Sequence, residues 1–152
     1  MARWPRGEAE IERLLDLGHL QAITGAAADG QPLLAKAGRT LATAASITGS
    51  DPDSALVLAY DAARYATTAL LAQQGLRPTS AGGHVAVDSA IRAQFGDGFR
   101  GFGYLRRRRN ELEYPTAGTA ASDVDEANDA VAQSRSLVQA AEQLLPNLGF
   151  FA

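Results

Sequence analysis

Residues 50–74 read SDPDSALVLAYDAARYATTALLAQQ and form the longest stretch of the chain with uninterrupted helical periodicity. Residues of one face recur every three or four positions, the spacing of an α-helix, at Leu56, Tyr60, Ala63, Thr67 and Leu70. Ser50 is expected to cap this helix, Pro52 is tolerated in its first turn, and Gly75 follows its last residues. The segment predicts a long helix at the centre of the hydrophobic core.

The same periodicity predicts five further helices, and strand signals are scarce. Ser122 is expected to cap the last helix, with Asp125 three residues further on. The five helices span roughly 8–17, 32–46, 85–95, 99–113 and 122–145. Because short loops let consecutive helices pack against each other, the chain is expected to form an all-α, single-domain bundle of five to six helices with up-down topology over residues 1–152.

Composition narrows the class of protein. With 152 residues, 46% of them hydrophobic and 20% charged, the chain has the composition of one globular domain. The formal charge of -3 argues against a wholly basic surface but permits a local basic patch. The absence of cysteine excludes disulfides, thiolate zinc sites and a cysteine nucleophile.

The sequence gives no sign of a membrane segment, a leader or a cofactor site. No apolar run approaches the roughly 18 to 20 residues that span a bilayer, and residues 1–12 lack the apolar segment of a signal peptide. His19 and His84 are far apart and form no metal signature, and residues 25–30 lack the pattern of a phosphate-binding P-loop. We therefore expect a cytoplasmic protein without membrane contact, metal or cofactor.

The stretch that departs most from this background is residues 105–115, LRRRRNELEYP. Four consecutive arginines on a helix cover about 300° of its circumference, because each residue advances roughly 100°. At least one of them should therefore face another helix or a subunit interface. Helical geometry predicts one shared strip for Arg106, Arg109, Asn110 and Glu113.

Two interpretations of this run remain open. In the first, the arginines form a solvated charge run with internal pairs such as Arg107 with Glu111 and Arg109 with Glu113. In the second, they form a phosphate-binding face. Six of the fourteen basic residues lie between Arg92 and Arg109, on a protein that is acidic elsewhere.

Residues 106–115, RRRRNELEYP, resemble the late-helix motif of the HEPN family. HEPN domains are small helical bundles, typically dimeric, that occur in prokaryotic toxin–antitoxin and defence modules, where many are metal-independent ribonucleases. Residues 58–66, LAYDAARYA, with the following residues 75–78 and 83–84, are similar to the long helix and turn of some members. The resemblance covers roughly residues 51–145.

The resemblance also assigns tentative catalytic positions. In active members an arginine, usually followed by a polar residue, precedes a histidine by five positions. These positions correspond to Arg109, Asn110 and Tyr114. Histidine titrates near 6.5 and can accept and donate a proton at neutral pH, whereas tyrosine, near 10, is a poor base. The tyrosine at this position therefore predicts weak or absent catalysis.

The resemblance implies a function in which the arginine-rich helix is the binding surface. The chain is expected to be a homodimeric component of a toxin–antitoxin or defence module that binds RNA, a cognate toxin or antitoxin protein (by resemblance a nucleotidyltransferase), or both. The binding residues would be Arg106, Arg107, Arg108, Arg109 and Glu113. The alternative is a metal-independent endoribonuclease that uses Arg109, Asn110 and Tyr114. A third possibility is a scaffold or a small-ligand-binding bundle outside any such module.

Three further residues are candidates for a supporting role. Asp61 and Arg64 lie three residues apart on one helix face, where they form either an ordinary surface pair or a set in which Asp61 reaches across to Arg106 or Arg109. His84 either packs locally or replaces the missing motif histidine. The apolar segment of residues 148–151 either packs onto the bundle or docks a partner.

Overall fold

The computed structural model describes residues 2–152, without the side chain of Asp97, and places six α-helices and one short two-stranded sheet in that range. The predicted all-α helical bundle is confirmed. None of the helices within residues 2–152 is long and apolar enough to cross a lipid bilayer. The helices are α1 Glu8–Asp16, α2 Gln31–Ser46, α3 Pro52–Gln73, α4 Gly83–Phe95, α5 Phe102–Glu113 and α6 Val124–Leu144.

Helix α3 lies at the centre of the core and contacts α2, α4, α5 and α6. Its alanines are fully buried and let the neighbouring helices approach its backbone closely, whereas Leu56, Tyr60 and Leu70 fill the larger spaces between them. Ser134 of α6 donates a buried hydrogen bond of 2.6 Å to the carbonyl oxygen of Ala59. The central helix therefore fixes the position of every side chain that projects from it.

The predicted caps of α3 and α6 are each wrong by one residue. Asp51, not Ser50, precedes α3 and accepts a hydrogen bond from the Ser54 N–H at 3.2 Å. Asp123, not Ser122, caps α6 in the same way, at 2.8 Å from the Glu126 N–H. A capping side chain accepts from the N–H of the second or third helical residue, so the position of the first helical turn selects the aspartate over the serine.

Two helix boundaries near the arginine run also differ from the prediction. Helix α4 begins at Gly83 instead of residue 85, and α5 begins at Phe102 instead of residue 99. The delay in α5 arises because Gly96–Phe99 forms a separate 3-10 turn, which Gly96 enters with a left-handed φ of 67°. The turn separates α4 from α5, which the sequence predicted as two helices, and moves the start of α5 by three residues.

A small sheet is present that the sequence did not predict. Strand β1, Leu20–Ala22, pairs antiparallel with β2, Leu76–Pro78. Each strand has three residues, too few to show an alternating pattern. The pairing joins the end of α1 to the turn that follows α3.

The C-terminal segment packs onto the bundle. Leu148 and Phe151 are buried, and the Phe151 N–H donates to the carbonyl oxygen of Gln74 at 2.9 Å. The guanidinium carbon of Arg3 lies 3.7 Å from the centre of the Phe151 ring. Phe150, in contrast, is 55% exposed. The structure therefore agrees with the interpretation in which this tail packs onto the bundle.

Candidate anion-binding site

The four consecutive arginines of α5 point in different directions because each is rotated by about 100° from the last, and only Arg106 and Arg109 share a face. Arg108 turns to α6, where its Nε and Nη2 atoms donate to the two carboxylate oxygens of Glu126 at 2.9 and 3.0 Å. Hydrogen bonding to Glu126 raises the pKa of Arg108, and the same contact lowers the pKa of Glu126. Arg108 is therefore committed to joining two helices.

Arg107 is the exposed member of the run. The predicted pair of Arg107 with Glu111 is not among the ion pairs of the described residues, because Glu111 lies 3.0 Å from Arg108 instead. A Cβ atom added at Gly103 would lie 3.6 Å from the Arg107 guanidinium, which places this side chain back along its own helix. Arg107 therefore forms no part of a buried site.

Arg109 turns to α3 and is largely buried, with only 16% of its side chain exposed. Its Nη2 atom lies 2.5 Å from Glu113 on the same helix and 4.0 Å from the Asp61 carboxylate on α3. The first of these is the pair expected from the sequence. The guanidinium carbon also lies 5.7 Å from the centre of the Tyr60 ring. Of the two predicted arrangements of Asp61, the structure therefore has the one in which its carboxylate faces Arg109 on α5.

Tyr60 and His84 form a hydrogen-bonded pair beside Arg109. The Tyr60 hydroxyl lies 2.9 Å from Nδ1 of His84, and Phe102 of α5 stacks on the tyrosine with ring centres 5.4 Å apart. Burial raises the pKa of Tyr60 to about 12. Burial also lowers the pKa of His84, and the charges of nearby arginines lower it further. At neutral pH this pair therefore consists of a protonated phenol and a neutral imidazole.

Arg64, Arg106 and Arg109 surround this pair and form what we call the arginine cluster. All three act electrostatically on both Tyr60 and His84. Each carries a buried Nε atom without a hydrogen-bond partner among the described residues. Buried polar atoms without a partner are rare, and each costs about 1 to 3 kcal/mol.

The charge balance of the arginine cluster favours an anion. The carboxylates described next to it are those of Asp61 and Glu113, fewer than its guanidinium groups. One buried oxygen of Asp61, Oδ1, also has no hydrogen-bond partner among the described residues, and burial raises the pKa of this carboxyl group. Planar guanidinium groups with free N–H donors match the geometry of a phosphate. The arrangement can bind a phosphate group between α3 and α5.

The remaining predicted site residues lie outside the arginine cluster. Asn110 is exposed, and its side-chain oxygen accepts from Arg109 at 3.2 Å. Tyr114 follows the last residue of α5 and is 70% exposed. Five helical steps rotate a residue by about 140° from its starting direction, so Tyr114 does not share the direction of Arg109.

Tyr60 is a member of the site that the sequence did not predict. The sequence predicted it only as a core residue, and its side chain is indeed fully buried. The signal that could have identified it is a polar tyrosine hydroxyl on the core face of the longest helix, which needs a partner when buried. That partner is His84. The sequence identified His84 as a candidate but did not predict its contact with Tyr60.

A cavity of about 410 Å³ lies beside the arginine cluster, between the first half of α3 and the end of α5. Glu113 belongs to both features, because it lines the cavity and pairs with Arg109. The other lining residues are Asp53, Ser54, Val57, Leu58 and Leu112.

No group of three or more histidine and acidic side chains within the described part of the chain is placed to hold a metal ion. Comparisons with protein-family models, with curated protein sequences and with solved structures gave no significant match to this chain.

Proposed function

We propose that this chain is a HEPN-like domain that acts in a prokaryotic toxin–antitoxin or defence module and binds RNA through a backbone phosphate at the arginine cluster. The observation that carries the RNA-binding part is the convergence of Arg64, Arg106 and Arg109, each with a buried and unpartnered Nε donor. The assignment to the module rests on the resemblance of residues 106–115 to the HEPN motif. Catalysis is weak or absent in this proposal.

The physical basis of the binding is charge-assisted hydrogen bonding in a partly buried site. A phosphate between α3 and α5 would accept from guanidinium groups that are already oriented by Tyr60 and by the carboxylates of Asp61 and Glu113. Since the whole chain is acidic, with a formal charge of -3, binding would be confined to this local patch and would weaken with added salt.

Fluorescence anisotropy with a labelled single-stranded RNA tests this proposal, with Arg109→Ala as the site variant and Arg107→Ala as the matched control. Arg109→Ala should weaken binding by about tenfold or more, because a charge-assisted bond is lost. It should also reduce the slope of log affinity against log salt by about one. Arg107→Ala should change the affinity by less than about threefold. Equal effects of the two variants, or no binding by the wild type at low salt, would contradict the proposal.

The proposal includes a homodimer and a cognate protein partner. Tyr104 and Tyr114 at the two ends of α5 are 46% and 70% exposed and would suit a contact made by the arginine-rich helix. Light scattering at micromolar concentration should give the mass of a dimer. A monomer under these conditions would remove the dimer from the proposal without affecting RNA binding.

The second candidate is a metal-independent endoribonuclease, and one observation favours it. His84 lies against Tyr60 inside the arginine cluster, whereas Tyr114 is exposed. In this form His84 would take the proton of a ribose 2′-hydroxyl as that oxygen attacks the adjacent phosphorus. The bond between phosphorus and the 5′-oxygen would break, the leaving oxygen would take the proton from the His84 imidazolium, and a 2′,3′-cyclic phosphate would remain. Arg109 would stabilise the charge on the phosphate oxygens.

RNA cleavage in EDTA separates the two candidates. The enzyme predicts cleavage that survives chelation, is lost in Arg109→Ala and in His84→Ala, and persists in Tyr114→Phe. Loss of cleavage in Tyr114→Phe with full activity of His84→Ala would restore the assignment made from the sequence. Binding without cleavage supports the non-catalytic module.

A further inference from the structure

The cavity beside the arginine cluster has the position and the chemistry of a nucleobase site. We propose that it binds the base of the nucleotide whose phosphate is held by the arginine cluster, and that it prefers guanine. The inference rests on the proposed function, because it requires that phosphate. The inference extends the proposed function by specifying which nucleotide the site prefers.

The spacing between the two features suits a single nucleotide. Glu113 lines the cavity and lies one helical turn after Arg109, and Val57 lies one turn before Asp61 on the facing helix. One turn corresponds to about 5.4 Å along a helix axis. A ribose bridges such a distance between its phosphate and its base.

The size and the walls of the cavity suit a flat ring. Its volume of about 410 Å³ falls in the range of roughly 300 to 1,000 Å³ that is typical of small-molecule sites. Val57 and Leu58 line it from α3, and Leu112 lines it from α5. These apolar side chains can cover the faces of a base and leave its edge to polar groups.

The polar groups of the cavity are mainly hydrogen-bond acceptors. Glu113 contributes a carboxylate, and Asp53 contributes one free carboxylate oxygen, because its Oδ1 atom accepts from the Ser122 N–H at 2.6 Å. The Ser54 hydroxyl already donates to Asp51 at 2.6 Å. Guanine presents two adjacent donors, its N1–H and its amino group, which match the two oxygens of a carboxylate. Uracil presents a single donor, its N3–H, between two carbonyl oxygens, so it can offer only one hydrogen bond to a carboxylate and brings an acceptor against the second oxygen.

Glu113 also couples the base to the phosphate. Its carboxylate now pairs with Arg109 at 2.5 Å. A phosphate that takes over the Arg109 guanidinium would release this carboxylate for the base. The two halves of a nucleotide should therefore bind more tightly together than their separate affinities predict.

Titrations followed by NMR test the inference with guanosine 3′-monophosphate, uridine 3′-monophosphate and inorganic phosphate. We expect guanosine monophosphate to bind about tenfold more tightly than uridine monophosphate, the discrimination that a bidentate contact to a base provides. Inorganic phosphate should shift the arginine cluster and Glu113, which pairs with Arg109, but not the other cavity residues. Equal binding of the two nucleotides, with retained phosphate binding, would overturn the base site and leave the proposed function intact. If neither these ligands nor single-stranded RNA bound, the proposed function would fail as well.

A cavity-filling variant gives an independent readout. Leu58→Trp should bring the affinity ratio of the two nucleotides close to one while phosphate binding is kept. Leu17→Trp, at a position that is 52% exposed at the end of α1, is the matched control and should keep the ratio. An unchanged ratio in a folded Leu58→Trp protein would contradict the inference. The comparison of nucleotides on the wild type decides the question if that variant does not fold.

Discussion

His84 reports on the electrostatics of the site at the scale of single residues. Burial lowers its pKa from the ordinary value of 6.5, and the charges of Arg64, Arg109 and Arg106 lower it further. The imidazole is held at its Nδ1 atom by Tyr60, at 2.9 Å. A change in any of these arginines should therefore appear in the titration of this one ring.

Arg109→Ala should raise the pKa of His84 towards 6.5, because a positive charge near the imidazole is lost. NMR titration of the His84 ring protons in the wild type and in the variant measures the difference. Arg107→Ala removes the same charge from an exposed position of the same helix and should leave the titration nearly unchanged. A larger shift in Arg107→Ala than in Arg109→Ala would show that the cluster has been assigned to the wrong arginines.

The lowered pKa of His84 also predicts how stability depends on pH. Between the pKa in the folded protein and 6.5, the unfolded chain binds more protons at this residue, so stability falls as the pH falls through this range. The raised pKa of Asp61 has the opposite effect at lower pH, because there the folded protein binds more protons. Denaturant unfolding of wild type and His84→Gln between pH 7.5 and about 5 should show a smaller loss of stability in the variant. A parallel pH dependence in the two proteins would contradict the assignment.

At the scale of helices, α3 and α6 are each capped by an aspartate and not by the serine that precedes it. The carboxylate of Asp51 accepts from both the backbone N–H and the hydroxyl of Ser54, at 3.2 and 2.6 Å, and these hydrogen bonds lower its pKa. The neighbouring Ser50 does not cap α3. Its hydroxyl points back to the Ile47 carbonyl oxygen, at a long hydrogen-bond distance of 3.5 Å.

Asp51→Ala should therefore lower the free energy of unfolding by about 1 kcal/mol, the usual contribution of a helix cap. Ser50→Ala, the matched control one residue away, should change it by less than about 0.5 kcal/mol. Urea unfolding followed by circular dichroism measures both values. The reverse order of the two effects would restore Ser50 as the cap.

The sequence predicted the helices well because alanine-rich periodicity is a local property. It placed Arg106 and Arg109 on one strip but did not predict which helix that strip faces, because this depends on how α5 packs after the 3-10 turn Gly96–Phe99. It also missed the contact of Tyr60 with His84, which are 24 residues apart and meet only after the chain reverses between α3 and α4. Local patterns define helices, whereas the site depends on the packing of α3, α4 and α5.

At the scale of the whole molecule, the C-terminal segment closes the bundle. Phe151 is 5% exposed, contacts Arg3 from the other end of the chain, and is fixed by its backbone hydrogen bond to Gln74. Phe150 is 55% exposed. The two adjacent phenylalanines therefore differ mainly in burial.

Phe151→Ala should destabilise the protein by about 3 kcal/mol, because a buried aromatic side chain is lost. Phe150→Ala should change stability by less than about 1 kcal/mol. Thermal unfolding of both variants provides the comparison. Similar melting temperatures for the two would show that the tail does not contribute to the core.

The separate surroundings of the four arginines of α5 have a consequence for how related sequences should be compared. A related chain with arginine only at positions 106 and 109 would retain two members of the arginine cluster. A chain with arginine only at positions 107 and 108 would retain the exposed residue and the ion pair with Glu126 instead. Both chains would have the same sequence identity to this protein over the four positions. An alignment that slides by one position along this run would therefore transfer the proposed anion-binding role to the wrong residues without any loss of apparent identity.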